Sequence, residues 1–195
     1  MISFTVRKTL IAAIAAAALV CFASPRELAA ASPDTAVKVT FTASGTFATP
    51  ALSGVDALKL AGLPFTISVV GPSSMRPVKH GRNWAIFKPL TMTGTIYSGL
   101  VPNQPIGIAS NSVELQQTAG DSEDIITFTT PVTAIGISVT VTAKIYLPGG
   151  TLGKPLIRPF PSTAINTATS TVTYSNPTAM TTLGIQTGTL VATAP

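Results

Sequence analysis

From Thr133 to Leu147 the chain alternates strictly. Ile135, Ile137, Val139, Val141, Ala143, Ile145 and Leu147 fall on one phase. Gly136, Ser138, Thr140, Thr142, Lys144 and Tyr146 fall on the other. Side chains alternate across a strand, so a period of two yields one apolar face and one hydroxyl-rich face. The pattern predicts a long, half-buried antiparallel strand around which the other elements are arranged.

The same period recurs along the chain. Val37 to Phe47 places Val37, Val39, Phe41 and Ala43 on one face, with Gly45 and Phe47 in phase. Pro64 to Val70 directs Phe65, Ile67 and Val69 inward and stops at Gly71-Pro72. Thr91 to Tyr97, Pro105 to Ala109, Ser112 to Thr118 and Ile125 to Thr129 read as further strands, the last cut by Pro131. Thr169 to Ser175 and Thr182 to Thr193 complete the set, and Asn176-Pro177 turns the chain between them. No segment carries a helical period of ordinary length. The fold expected is all-β, an antiparallel two-sheet β-sandwich of jelly-roll-like or Greek-key connection, with a barrel-like closure as its variant. The core expected is Phe41, Phe47, Phe65, Ile67, Ile135, Ile137, Val139, Val141 and Ile145. A hydroxyl-Gly-Thr-apolar pattern recurs at Ser44–Phe47, Thr93–Ile96 and Thr187–Leu190. It suggests bulges or bends where strands curve over the core.

Residues 1–31 read as a signal peptide. Arg7 and Lys8 form a positive start, Leu10 to Phe22 is uncharged and apolar, and Ala29-Ala30-Ala31 offers a cleavage site. Residues 32–195 then form a single β domain, exported to a periplasmic, cell-surface or extracellular location, with no transmembrane segment. The lone cysteine, Cys21, leaves with the signal, so the mature chain has neither a disulfide nor a thiolate metal site. Charged residues are only 10% of the chain. Few charges with abundant Thr, Val and Ile fit hydroxylated strand faces. The formal charge of +5 falls to about +3 without the signal, too small a bias for nucleic-acid binding.

Catalytic patterns are thin. His80 is the sole histidine, and no Gly-x-Ser-x-Gly elbow, Walker loop or dinucleotide fingerprint accompanies it. The expectation is a protein that is not an enzyme and holds no cofactor. Two clusters stand out. Arg76, Lys79, His80, Arg82 and Lys88 surround Trp84. An indole beside cations suits a sugar face or an anionic ligand. Asp121, Glu123 and Asp124 make an acidic turn, read as a solvated connection or, alternatively, a calcium loop. Two function classes follow. One is a non-catalytic structural or adhesive envelope or extracellular protein. The other is a carbohydrate- or anionic-ligand-binding module using the Arg76–Lys88 loop, with an envelope or extracellular glycan as partner. A small outer-membrane β-barrel is a more distant alternative. Self-association is open.

The stretch Gly54-Val55-Asp56-Ala57-Leu58-Lys59-Leu60-Ala61-Gly62-Leu63-Pro64-Phe65, following the first Gly-Thr-Phe strand, resembles a segment of exported, uncharacterised β-rich bacterial proteins. Some of those carry a C-terminal sorting tail, which has no counterpart after Leu190. The resemblance implies export and a β fold, and carries no catalytic residue.

Overall fold

The structure is a computed structural model that describes residues 37–134 and 136–195. Residues 1–31, expected to be a signal peptide, and Ile135 lie outside those residues. Ten strands occur among the described residues: β1 (Lys38–Phe47), β2 (Pro64–Pro72), β3 (Lys79–His80), β4 (Trp84–Ser98), β5 (Val101–Thr118), β6 (Glu123–Ala134), β7 (Ile137–Pro148), β8 (Phe160–Ala164), β9 (Thr171–Ser175) and β10 (Met180–Thr193). All pairings are antiparallel.

The expected pair of sheets is one sheet. Its order runs β1-β2-β4-β5-β6-β7-β9-β10, and β10 pairs back onto β1. The ladder therefore closes into an eight-stranded barrel. β3 extends β4's edge beyond β2, and β8 extends β10's edge beyond β9. Closure pairs β1 with β10, the two strands that an open sheet would leave as edges to protect.

The central strand predicted over Thr133–Leu147 is two strands. β6 ends at Ala134, which pairs with Ile137 at the start of β7, and Gly136 sits at φ +72°. A two-residue hairpin loop requires left-handed backbone that glycine supplies without strain. Pro131 does not cut β6; it pairs with Thr140 inside the ladder. Likewise β5 is one 18-residue strand where two pieces were expected. Its register against β4 shifts at Phe87/Leu90 and Leu90/Met92, beside Pro89.

Inward positions fill the barrel. Phe41, Phe47, Phe65, Val139 and Ile145 are buried as expected, and Ile67, Ile137 and Val141 are partly buried against them. Phe41 of β1 meets Phe128 of β6 edge-on, with ring centroids 6.3 Å apart. The two voids between these side chains measure about 20 and 30 Å³, roughly the share of one water molecule. Each end is closed by a loop. Leu58 and Leu60 of the β1–β2 loop plug one end, and Leu152 and Ile157 of the β7–β8 loop plug the other.

The recurring Gly-Thr pattern has a structural meaning at the seam. Gly45 and Gly188 are register partners across β1 and β10, and a Cβ on Gly45 would run into the Thr187 carbonyl. A Cβ on Gly94 would likewise stand only 2.7 Å from the Thr66 carbonyl oxygen. Backbones approach there more closely than any side chain permits.

Candidate functional site

The barrel has two unlike ends. The connections β2–β3–β4, β5–β6 and β7–β8 gather at the first, together with the start of β1. The β1–β2 loop and the β4–β5, β6–β7 and β9–β10 turns gather at the second. Nine lysines and arginines lie among residues 37–195, and only Lys59 belongs to the second end. The first is here called the basic end and the second the neutral end.

Both sequence clusters fall at the basic end and touch. β3 and β4 form a hairpin, with Lys79 opposite Ile86 and His80 opposite Ala85, closed by Gly81 N–H donating to the Trp84 carbonyl at 2.8 Å. Arg82 and Asn83 form its tip. Ala119 N–H donates to the Asn83 carbonyl at 2.8 Å, and Asn83 Nδ2 donates back to the Ala119 carbonyl at 3.2 Å. The basic hairpin is thereby fastened to the acidic turn.

The expected loop at Trp84–Lys88 is strand. Trp84 is half-buried on the outer wall, its indole covering Gly81, and Phe87 is fully buried. Arg76, Lys79, His80 and Arg82 are exposed. Lys88 points along the wall to Glu114, at 2.9 Å, the ion pair found among the described residues. It is therefore separated from the hairpin cations it was grouped with. His80 is exposed at the end of β3.

The tyrosines do not enlarge the aromatic platform. Tyr174 is buried, its hydroxyl donating to Asp56 Oδ1 at 2.7 Å and accepting from Leu58 N–H at 3.3 Å. Burial and the neighbouring Asp56 raise its pKa. Tyr97 lies near the far end of β4. Tyr146 shares a cross-strand row with Trp84 through Thr118 and Ile125. It stands three strands around a closed barrel, facing another direction, and Lys144 covers its ring at 4.9 Å.

The acidic turn is taken apart by the strand period. Asp124 is in phase with Ile126 and Phe128, hence inward and fully buried. Its Oδ1 accepts from Gly120 N–H at 2.9 Å and its Oδ2 from Leu152 N–H at 2.6 Å. Glu123 points outward, accepting from Asn166 Nδ2 at 2.6 Å. Asp121 is exposed. Successive strand residues face opposite ways, so the three carboxylates do not converge as calcium ligands. Among the described residues no three His, Cys, Asp or Glu side chains are grouped for a metal. Asp124 is a fastener for the plug loop, which sequence reasoning missed although its phase with Ile126 gave the signal.

Two open grooves remain. One, of about 400 Å³, lies at the basic end between Asn83, Gly120, Asp121 and Gly149–Gly150. The other, of about 690 Å³, runs at the neutral end along Pro131–Thr133, Ser138–Thr140 and Ser175–Pro177. There β5 has parted from β6, since they pair only between Glu114–Thr118 and Ile125–Thr129.

Gln117 is also buried, with neither amide atom partnered among the described residues. No protein-family model, curated protein or solved structure matches this chain.

Proposed function

We propose that this is an exported, non-catalytic protein of the cell envelope or exterior that works by adhesion, gripping an anionic surface through the basic end of a solid barrel. The observation that carries this reading is the charge balance: eight of the nine cations among residues 37–195 lie toward one end, and the four carboxylates there leave it net positive. A filled interior supports it, because a barrel without a cavity has only its outside to offer a partner. Outward strand positions such as Thr40, Thr42, Thr91, Thr93 and Thr140 carry hydroxyls, while the apolar phase points in. A membrane-spanning barrel has the reverse arrangement, so these faces suit water.

The second reading is sugar recognition at the hairpin, favoured by the half-exposed Trp84 between Lys79 and Arg82. Retention of the purified protein on cell envelope and on insoluble polysaccharides, at low and high salt, tests both. Salt-sensitive retention supports the electrostatic grip. Salt-resistant retention on one glycan, lost on joint substitution of Arg76, Arg82 and Trp84 with folding intact, supports the sugar site. No retention at either salt rejects both.

A further inference from the structure

Exposed aliphatic side chains stand among the cations of the basic end. Val37, Val78 and Leu156 are 49%, 51% and 50% exposed. Backbone contacts bring them to one side of that end. The Val37 carbonyl accepts from Ser73 N–H at 2.8 Å, and Ile157, next to Leu156, packs over Gly71. Val78 N–H donates to the Ile86 carbonyl at 2.8 Å, between Arg76 and Lys79. Lys154 precedes Leu156 by two residues. Arg76, Lys79 and Lys154 are exposed and have no ion-pair partner among the described residues.

The acids of this end are engaged except Asp121, which is exposed and lines a groove with Asn83 and Gly153. Asp121 is on the β5–β6 turn, Asp124 is buried on two N–H donors, Glu123 holds Asn166 and Glu114 holds Lys88. The β1–β2–β3 side is thus cationic with aliphatic tips. A polysaccharide has little use for isolated valine and leucine side chains. A bilayer interface has use for both: cations meet headgroup phosphates while aliphatic groups enter the acyl boundary.

We propose that this side of the basic end docks on an anionic lipid surface. The inference rests on the electrostatic reading above and names its partner. Its two components separate experimentally. Coulomb attraction to headgroups falls with salt, whereas aliphatic insertion does not.

The test is co-sedimentation of the full exported chain with phosphatidylglycerol-containing vesicles and with purely zwitterionic vesicles, at low and high salt. Trp84, the single tryptophan, reports docking from the same end by its fluorescence. Binding to the anionic vesicles alone is expected, weakened but not abolished by salt. Neutralising a cation is expected to weaken binding about fivefold, so R76Q/K79Q/K154Q together lose on the order of a hundredfold. V78S/L156S, which changes only exposed positions and leaves the melting temperature intact, is expected to remove the salt-resistant part. Unchanged binding in V78S/L156S overturns the insertion and with it the proposal. Failure to bind anionic vesicles while envelope retention persists also overturns it, leaving the adhesive reading standing with a non-lipid partner. Loss of both rejects both.

Discussion

The two ends of the barrel are built alike and finished differently. Each is plugged by a loop carrying two buried aliphatic residues, and each plug is tied down by one carboxylate with two partners. At the neutral end Asp56 accepts from the Tyr174 hydroxyl and, at 2.8 Å, from Ala61 N–H. At the basic end Asp124 accepts from Gly120 and Leu152 N–H groups. Asp56 is only half-buried, whereas Asp124 has no exposure at all. The plug carboxylates are therefore structural at both ends. What separates the ends is the solvated surface, where cations accumulate on one side and the other carries little but Asp56 and Lys59. One acid of the sequence cluster, Asp124, is a fastener, and the exposed cations beside it are what remains to meet a partner.

The largest test of that distinction is Asp124→Ala. It strands two inward N–H groups, and a loss of about 4 kcal/mol is expected from charge-assisted bonds removed in a buried site. A urea midpoint close to wild type would show that the plug holds itself. Gln117→Leu sits at the same end and should act oppositely. Replacing an unpartnered buried amide with an apolar side chain is expected to stabilise by about 1–2 kcal/mol. Destabilisation would mean that the amide has a partner worth keeping.

At the neutral end, Tyr174→Phe removes the hydroxyl that links Asp56 and Leu58, at an expected cost of about 1 kcal/mol. Its pH signature is distinct. The raised pKa means that the folded state holds the phenolic proton more tightly than the unfolded state. That stability is fully present below the tyrosine's ordinary pKa and is lost as pH rises through the folded value. Wild type should therefore lose stability in the alkaline range, and the variant should lose less; parallel profiles would remove Tyr174 from the tie. Glu114→Ala should do least. Both partners of its ion pair are well exposed, so a change of about 0.5 kcal/mol or less is expected in thermal unfolding.

The strand period was legible because it is local. It placed Val39, Phe41, Phe65, Val139 and Ile145 inside, and all of them are buried. Closure was legible only as the variant to a sandwich, because it depends on Gly45 meeting Gly188 across the length of the chain. The alternation over Thr133–Leu147 concealed a hairpin, since a two-residue turn leaves the phase of its arms unchanged: Ala134 and Ile137 are partners. Pro131 was over-read, because a proline is tolerated wherever its missing N–H would not face a ladder partner. At the candidate site, Arg76, Lys79, His80 and Arg82 are exposed on or beside one hairpin, whereas Lys88, grouped with them by proximity in sequence, has its side chain on Glu114. Lys154, Val78 and Leu156 were not singled out, because an isolated cation or aliphatic residue acquires significance only when a remote loop is laid beside it.

The seam between β1 and β10 joins the first and last strands of the barrel. Ser44 and Thr189 stand opposite each other although 145 residues separate them. Few contacts in the molecule demand a longer loop, and non-local pairing of this kind slows folding. Until the last strand arrives, β1 offers one raw edge to any neighbour, and strand exchange between copies is the natural misstep. Yet Thr40 lies beside Thr193, so the two extremes of the barrel chain meet on one side. The wall is in effect a ring with an arbitrary starting point. A rearranged chain that began at β5, after the turn near Gly99, and ran from β10 directly into β1 would turn the most distant contact into a neighbouring hairpin.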